Sequence, residues 1–174
     1  MIETIKDMLT RRSIRKFKPE IPPQETIDSI IEAGLYAASG KNTQLTKIIA
    51  VTNRELRDRI SESNRVIGGY AEGFDPFYGA PVILIVVAAK EWRNRVYDGS
   101  LVMGNLMLAA HALGIASCWI HRAKEEFETE EYAGLLRDLG IEGEWEGIGH
   151  CALGYADQEP KILPRKENRV YYVK

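Results

Sequence analysis

Cysteine is scarce in this chain. Only Cys118 and Cys151 occur, far apart and in apolar surroundings. Two are too few for a disulfide framework, and their spacing fits neither a zinc ribbon nor a CxxC redox pair, so both are expected to be buried small hydrophobes. Long apolar runs are also missing: the longest, Pro81 to Ala89, is less than half of the roughly 20 residues that a membrane span needs. Nor does charge of one sign dominate. With 23 Lys and Arg against 25 Asp and Glu, the net charge is -2 and the basic residues are spread along the chain, leaving no footprint for a polyanion such as DNA. The N-terminus lacks the basic segment and apolar stretch of a signal peptide, so the expected location is cytoplasmic. No internal repeat or low-complexity tract appears. A chain of 174 residues, 45% of them hydrophobic, can close one core, and a single domain over residues 1–174 is expected.

Several familiar motifs are incomplete. Gly147-Ile148-Gly149 begins like a dinucleotide fingerprint, but the next glycine is Gly154 and no helical pattern follows. Gly34 to Lys41 imitates a P-loop, yet it is one residue too long, has Asn42 where Ser or Thr would meet magnesium, and ends a helix rather than beginning one. A G-x-S-x-G elbow is absent, so a serine hydrolase has no local support. Cys118 and His121 have metal-ligand spacing and could be joined by His150 and Cys151, but without a second regular pair no metal site is expected. His111 falls within a helical pattern, as a surface or hydrogen-bonded histidine.

What is present is an alternation of helix and strand patterns. Ile2, Ile5, Met8 and Leu9 recur at helical spacing, predicting a short helix that ends near Thr10. Pro22 and Pro23 suit a first helical turn, and Ile27, Ile30, Ile31, Gly34, Leu35 and Ala38 mark one face of a second helix that stops at Ser39-Gly40. Lys47 to Thr52 reads as a strand, Asn53 as an N-cap, and Leu56 and Ile60 as the stripe of a third helix. A glycine-rich loop between Gly68 and Gly79 carries Phe74, Phe77 and Tyr78. Val82 to Ala89 is apolar throughout, which predicts a central strand buried on both faces. Asp98 is positioned to cap a long helix ended by Gly114, and Ile115 to Ile120 is the next strand. One helix from Glu125 to Leu139 and a strand from Gly147 to Leu153 complete the body. Val170 to Val173 are strand formers in a tail that could pair with another subunit. The pattern argues for a sheet between helical layers and leaves strand direction open.

Two polar clusters stand out. Arg11-Arg12-Ser13-Ile14-Arg15 is a dense set of donors after a helix, with guanidinium forks able to grip a phosphate. Ser39-Gly40-Lys41-Asn42-Thr43-Gln44 combines small residues, which let a backbone approach a ligand, with amides able to bond a heterocycle edge. With Arg11 to Phe17 reading R-R-S-x-R-x-F and Ser39 to Gln44 reading S-x-x-N-x-Q, the sequence resembles the nitroreductase family. The resemblance continues through Asp75 to Pro81, Gly104-Asn105-Leu106, Gly114 to Ile120, Gly147 to Tyr155 and Pro164-Arg165-Lys166, in order over nearly the whole chain. It departs at Leu45-Thr46, at Ala38 and at the cation Lys41.

The resemblance implies an α+β, three-layer αβα fold around a mixed, mostly antiparallel sheet, with the C-terminal tail extended onto the partner subunit of a homodimer. It implies FMN as cofactor, bound at the dimer interface. Arg11 and Arg165 would neutralise the phosphate, with Lys166 beside them; Ser13 and Arg12 would bond phosphate or ribityl; Arg15 would approach the pyrimidine edge. Ser39, Gly40, Asn42 and Gln44 belong to the cofactor-binding set, the first three supplied by the partner. Ile120 and His121, with Arg122, would pass near the ring mainly through backbone groups. The implied activity is ping-pong hydride transfer from NADH or NADPH to a small organic acceptor of nitroaromatic, quinone or enone type, with no side-chain nucleophile because the flavin carries the chemistry. The alternatives are a flavin-binding protein without turnover, a divergent flavin enzyme of the same fold (dehydrogenase or flavin-fragmenting), and a thiol enzyme using Cys118 or Cys151.

Overall fold

Val82–Ala89 forms β2 in the computed structural model, which describes residues 2–174, and every residue of that strand is buried. It sits inside a four-stranded sheet of order β1-β2-β4-β3, where β1 is Thr46–Val51, β3 is Ala116–Ile120 and β4 is Trp145–Gly154. Successive side chains of a strand point to opposite faces. Ile83, Ile85 and Val87 accordingly join a core with Ile60, Phe77, Phe127 and Leu136. Val82, Leu84 and Val86 join a second core with Ile27, Ile30, Met103 and Leu106. The first core is covered by α3 (Arg54–Gly68), α5 (Ala123–Glu126) and α6 (Glu130–Asp138), and the second by α2 (Gln24–Leu35) and α4 (Arg95–Ala112). The result is the expected three-layer α+β fold.

All three strand pairings are antiparallel. The parallel component is an isolated bridge between Ser13 and Ser117, on the outer edge of β3. The N-terminal α1 (Glu3–Thr10) delivers the chain to that edge.

Local signals held at some helix ends and failed at others. Asn53 caps α3 through a 2.8 Å bond from the Leu56 N–H, as its position before the apolar stripe predicts. Asp98 is not a cap: α4 begins at Arg95, and Asp98 is buried within its first turn. The single helix expected from Glu125 to Leu139 is two, because Thr129 adopts an extended conformation and donates its hydroxyl to the Glu126 carbonyl at 2.8 Å, ending the first turn. Val170 to Val173 form no strand within this chain and are exposed.

Gly147-Ile148-Gly149 turns out to be a packing device. The β2–β4 register slips between Val86, opposite Gly149, and Val87, opposite Gly147, so Ile148 is the extra residue of a bulge. A Cβ on Gly147 would lie 2.1 Å from the Ala123 carbonyl oxygen, so glycine is what lets α5 approach β4 this closely. Gly147→Ala is expected to lower unfolding stability by about 1–3 kcal/mol, the cost of overpacking a rigid contact. A urea midpoint equal to the wild type would contradict this.

Candidate functional site

The edge of β3 organises the first polar cluster. The Ile14 N–H bonds the Ser117 carbonyl at 3.1 Å, the Phe17 N–H bonds Tyr78 at 3.2 Å, and the Lys18 N–H bonds Tyr155 at 2.9 Å. Residues 13–18 are thus held as an extended strip whose Ile14 and Phe17 side chains are buried. Because the bridge at Ser13 is parallel, the strip runs toward the C-terminal end of β3 and carries Arg15 with it. There Arg15 meets Ile120, His121 and Arg122 in the wall of a cavity of about 200 Å3. Tyr70, Phe74 and Tyr78 line the same cavity, with ring centroids 5.1 Å apart for Tyr70 and Phe74 and 6.0 Å for Phe74 and Tyr78. The aromatic loop splits by function: Phe77 is fully buried in the core.

The arginines of the cluster differ in what they have left to offer. Arg12 spends Nη1 on the carbonyls of Leu9 at 2.8 Å and Arg11 at 2.7 Å, which caps the end of α1. Arg11 has a buried Nη1 without a partner, and neither Arg11 nor Arg15 makes an ion pair among the described residues. Elsewhere in the chain Arg57, Arg65 and Arg95 are each held by a carboxylate. A buried donor without an acceptor is costly, so an unpaired guanidinium here is a site with capacity for an anion. Arg11 and Arg12 also border a hollow of about 220 Å3 beside Ser117 and His111, whose Nε2 lies 2.9 Å from Thr10 Oγ1.

The second cluster is built around Asp98, which the sequence offered only as a helix cap. The Gly40 N–H donates to both oxygens of Asp98, at 3.1 and 3.2 Å, and Trp92 Nε1 donates to the same carboxylate at 2.7 Å. A Cβ on Gly40 would come within 2.9 Å of Trp92 and Asn94, so this glycine is required by packing inside its own chain. Ser39 Oγ accepts the Gln44 N–H at 3.1 Å, and Gln44 Nε2 donates to Asn42 Oδ1 at 3.0 Å. Lys41, Asn42 and Gln44 all have positive φ, an unusual density of left-handed non-glycine residues that holds the loop in one shape.

One chain does not unite the two clusters. Ser39 to Gln44 leads into β1, whereas Arg11 to Arg15 follows β3, the other edge of the sheet; three strand spacings put these edges about 14 Å apart. Arg165 and Lys166 are exposed in the segment after β4, and no hydrogen bond or ion pair among the described residues joins them to Arg11 or Arg15. A larger hollow of about 570 Å3, walled by Phe127, Leu136, Ile141 and Trp145, gathers none of the residues selected from sequence.

Polar groups behind the aromatic loop hold the cavity in shape. Arg57 is 4% exposed; its Nε bonds the Ala80 carbonyl at 2.9 Å and its Nη2 pairs with Asp75. Asp75 also accepts from Ser61 Oγ at 2.7 Å and from the N–H groups of Phe77 at 2.9 Å and Gly79 at 2.8 Å, tying the aromatic loop to α3. Both cysteines are buried, as expected. Burial raises the Cys118 pKa and pushes Cys151 up to about 12, so neither offers a ready thiolate and the thiol-enzyme reading loses its nucleophile.

These features define a three-layer α+β protein with a cationic, aromatic-lidded crevice at one edge of its sheet. The chain belongs to the nitroreductase family: that family's sequence profile matches residues 8–67 and 70–155. A protein of Methanothermobacter thermautotrophicus, named provisionally as an NADH dehydrogenase/NAD(P)H nitroreductase, is 33% identical over 164 residues, covering 92% of this chain and 79% of that protein. The NADPH-flavin oxidoreductase of Vibrio harveyi is 28% identical over 175 residues, covering 95% of this chain and 70% of its own. The crystal structure of a nitroreductase with bound FMN from Bacteroides fragilis superposes with a TM-score of 0.89 at 28% identity, each chain covered completely.

Burial opposes ionisation of Asp75, but the hydrogen bonds from Arg57 and Ser61, the Arg57 charge and the Phe77 N–H outweigh it and hold its carboxyl below the usual range. A depressed folded pKa gives stability that is present above the unfolded value, roughly 3.9, and is lost as pH falls through the folded value. Asp75→Asn should therefore destabilise by about 2–3 kcal/mol at pH 7, less than for a fully buried pair because Asp75 is partly exposed. The gap between the unfolding midpoints of the two proteins should narrow from pH 7 to pH 3; a constant gap would refute the ionic origin.

Proposed function

We propose that this protein is a homodimeric, cytoplasmic FMN-dependent oxidoreductase that carries hydride from NADH or NADPH to a small organic acceptor of nitroaromatic, quinone or enone type. The observation that carries this reading is the row of unpaired guanidinium groups, Arg11 and Arg15, laid along the edge of β3 and leading into the aromatic-lidded cavity. FMN, when bound, would supply reversible hydride acceptance. The chain's own residues supply the rest. Arg11, with Arg165 and Lys166, meets the phosphate dianion; Ser13 and Arg12 bond phosphate or ribityl; Arg15 sits at the pyrimidine edge, where a cation favours the anionic reduced form. Ile120 and His121 line the ring through their backbone, and Tyr70, Phe74 and Tyr78 keep water from the exposed face.

The second cluster enters from another copy. Ser39, Gly40, Asn42 and Gln44 lie on the opposite sheet edge from Arg11, so pairing two chains completes the site where one cannot. Exposed Ile5, Met8 and Leu9 on α1, Tyr97 and Leu101 on α4, and Tyr171 and Tyr172 in the tail supply apolar area for that contact. Donor and acceptor then use one pocket in turn, which is a ping-pong scheme.

The protein as purified, or after adding FMN, is expected to be yellow and to bleach under anaerobic NADH or NADPH, with parallel initial-rate lines when an acceptor is supplied. A yellow protein that resists bleaching would be a flavin carrier, and a protein that binds no flavin would overturn the reading. Arg11→Ala should weaken FMN retention by about 1.5–3 kcal/mol, the scale of a charge-assisted hydrogen bond. Unchanged affinity by fluorescence titration would remove Arg11 from the phosphate site.

A further inference from the structure

Beneath the cavity runs a buried polar chain that the assignments above do not use. His150, in the middle of β4, is completely buried, and its Nε2 lies 2.7 Å from Glu126 Oε2. Glu126, also completely buried, ends α5; its Oε1 accepts from Asn64 Nδ2 at 3.1 Å. Asn64, on α3 and 1% exposed, donates the same amide to the His121 carbonyl at 2.7 Å. Three elements of secondary structure therefore converge on one backbone carbonyl in the cavity wall. The His150 and Phe77 rings, both buried, pack in a T-shaped arrangement with centroids 5.2 Å apart.

The backbone at that point is unusual. Arg122 follows with φ 83°, a left-handed conformation that a non-glycine residue keeps only when its surroundings enforce it. In a trans peptide the N–H points opposite to the C=O. With the His121 carbonyl drawn inward to Asn64, the N–H of the His121–Arg122 peptide faces away from the buried chain. Among the described residues no acceptor takes it, although both His121 and Arg122 line the cavity.

We infer that Asn64, Glu126 and His150 are positioning residues: they lock the His121–Arg122 peptide so that its N–H is presented to the cavity as a fixed donor for the heterocyclic ring of the flavin. The inference rests on the flavin reading and deepens it. Glu126 orients the Asn64 amide, and His150 stands at ion-pair distance from the other oxygen of Glu126. A fixed donor needs no reorganisation when charge develops on a ring acceptor, the arrangement by which preorganised backbone amides act in enzyme sites. Arg11 and this peptide thus serve different parts of one ligand, phosphate and ring.

That division gives the test. In the wild-type protein, saturation with FMN should slow hydrogen exchange of the Arg122 amide, and riboflavin, which has the ring without the phosphate, should slow it as well. Asn64→Leu removes the donor to the His121 carbonyl at similar volume. It should weaken FMN and riboflavin by the same factor, about tenfold for one lost hydrogen bond. Arg11→Ala, by contrast, should weaken FMN alone. Glu126→Gln, which keeps an acceptor for Asn64, should restore most of the affinity that Glu126→Leu loses. An Arg122 amide that FMN leaves unprotected in the wild type would overturn the positioning role, and that measurement stands even where a variant does not fold. Equal flavin affinities in wild type and Asn64→Leu would overturn it too, while flavin binding itself persisted. A wild-type protein that binds neither flavin would overturn this inference together with the cofactor reading.

Discussion

Val82 to Ala89 offers no side-chain polar atom, so neither face of the strand it forms can meet water. Helices must seal both sides, and once they do, the sheet has only its edges and ends left for polar work. This constraint sorts the rest of the molecule. The arginine cluster is expelled to the outer edge of β3, where its backbone adds a short parallel strip, and the Ser39–Gln44 loop is expelled to the approach to β1. The recognition groups of the proposed site are therefore on opposite margins of one sheet because the centre of that sheet is dry.

Polar groups do enter the interior, and these cases each anchor a loop. Arg57 and Asp75 hold the aromatic loop; Asn64, Glu126 and His150 hold the turn after β3; Asp98 holds the Ser39–Gln44 loop. Buried charges seldom add net stability over apolar replacements, but breaking a partner away is costly, so such groups fix one arrangement more than they strengthen the fold. The three networks anchor three loops whose positive-φ residues, Tyr78, Arg122 and Lys41 among them, have little intrinsic preference for their conformations. Strain at the rim is thus supported by hydrogen bonds from the rigid elements behind it.

The fold's layers were legible because they follow from periodicity. An unbroken apolar run marks a doubly covered strand, and helical spacing at Ile27, Ile30 and Ile60 marks the faces that cover it. Helix ends were less legible. Asp98 reads as a cap by residue type, but its carboxylate has a stronger use in accepting the Gly40 and Trp92 N–H groups, contacts from distant sequence that no local rule contains. Gly147 and Gly149 look like a phosphate-binding motif because close approach by a ligand and close approach by a neighbouring helix both demand the absence of a Cβ. The arginine cluster was legible as a donor set, but its freedom from carboxylates was not, since pairing is decided by tertiary placement. Asn64, Glu126 and His150 carry no local signal of this role: they lie on three separate elements and share one buried chain only after folding.

The same geometry keeps the two polar clusters of one chain apart. The cavity of about 200 Å3 is walled by Arg15, His121 and the aromatic loop, and the other polar loop is three strands away. Among the exposed apolar residues, Ile5, Met8 and Leu9 occupy α1, which packs against α4, where Tyr97 and Leu101 are also exposed. Apolar area on that scale calls for a cover. A second copy placed there would seal the α1 and α4 faces and bring a Ser39–Gln44 loop to an Arg11–Arg15 strip, so the force that drives association and the step that completes the ligand site would be one event. On that view the C-terminal segment, with Arg165 and Lys166 ahead of exposed Tyr171 and Tyr172, extends the same contact: aromatic burial would anchor it, and anchoring would deliver its cations to the phosphate end of the cofactor.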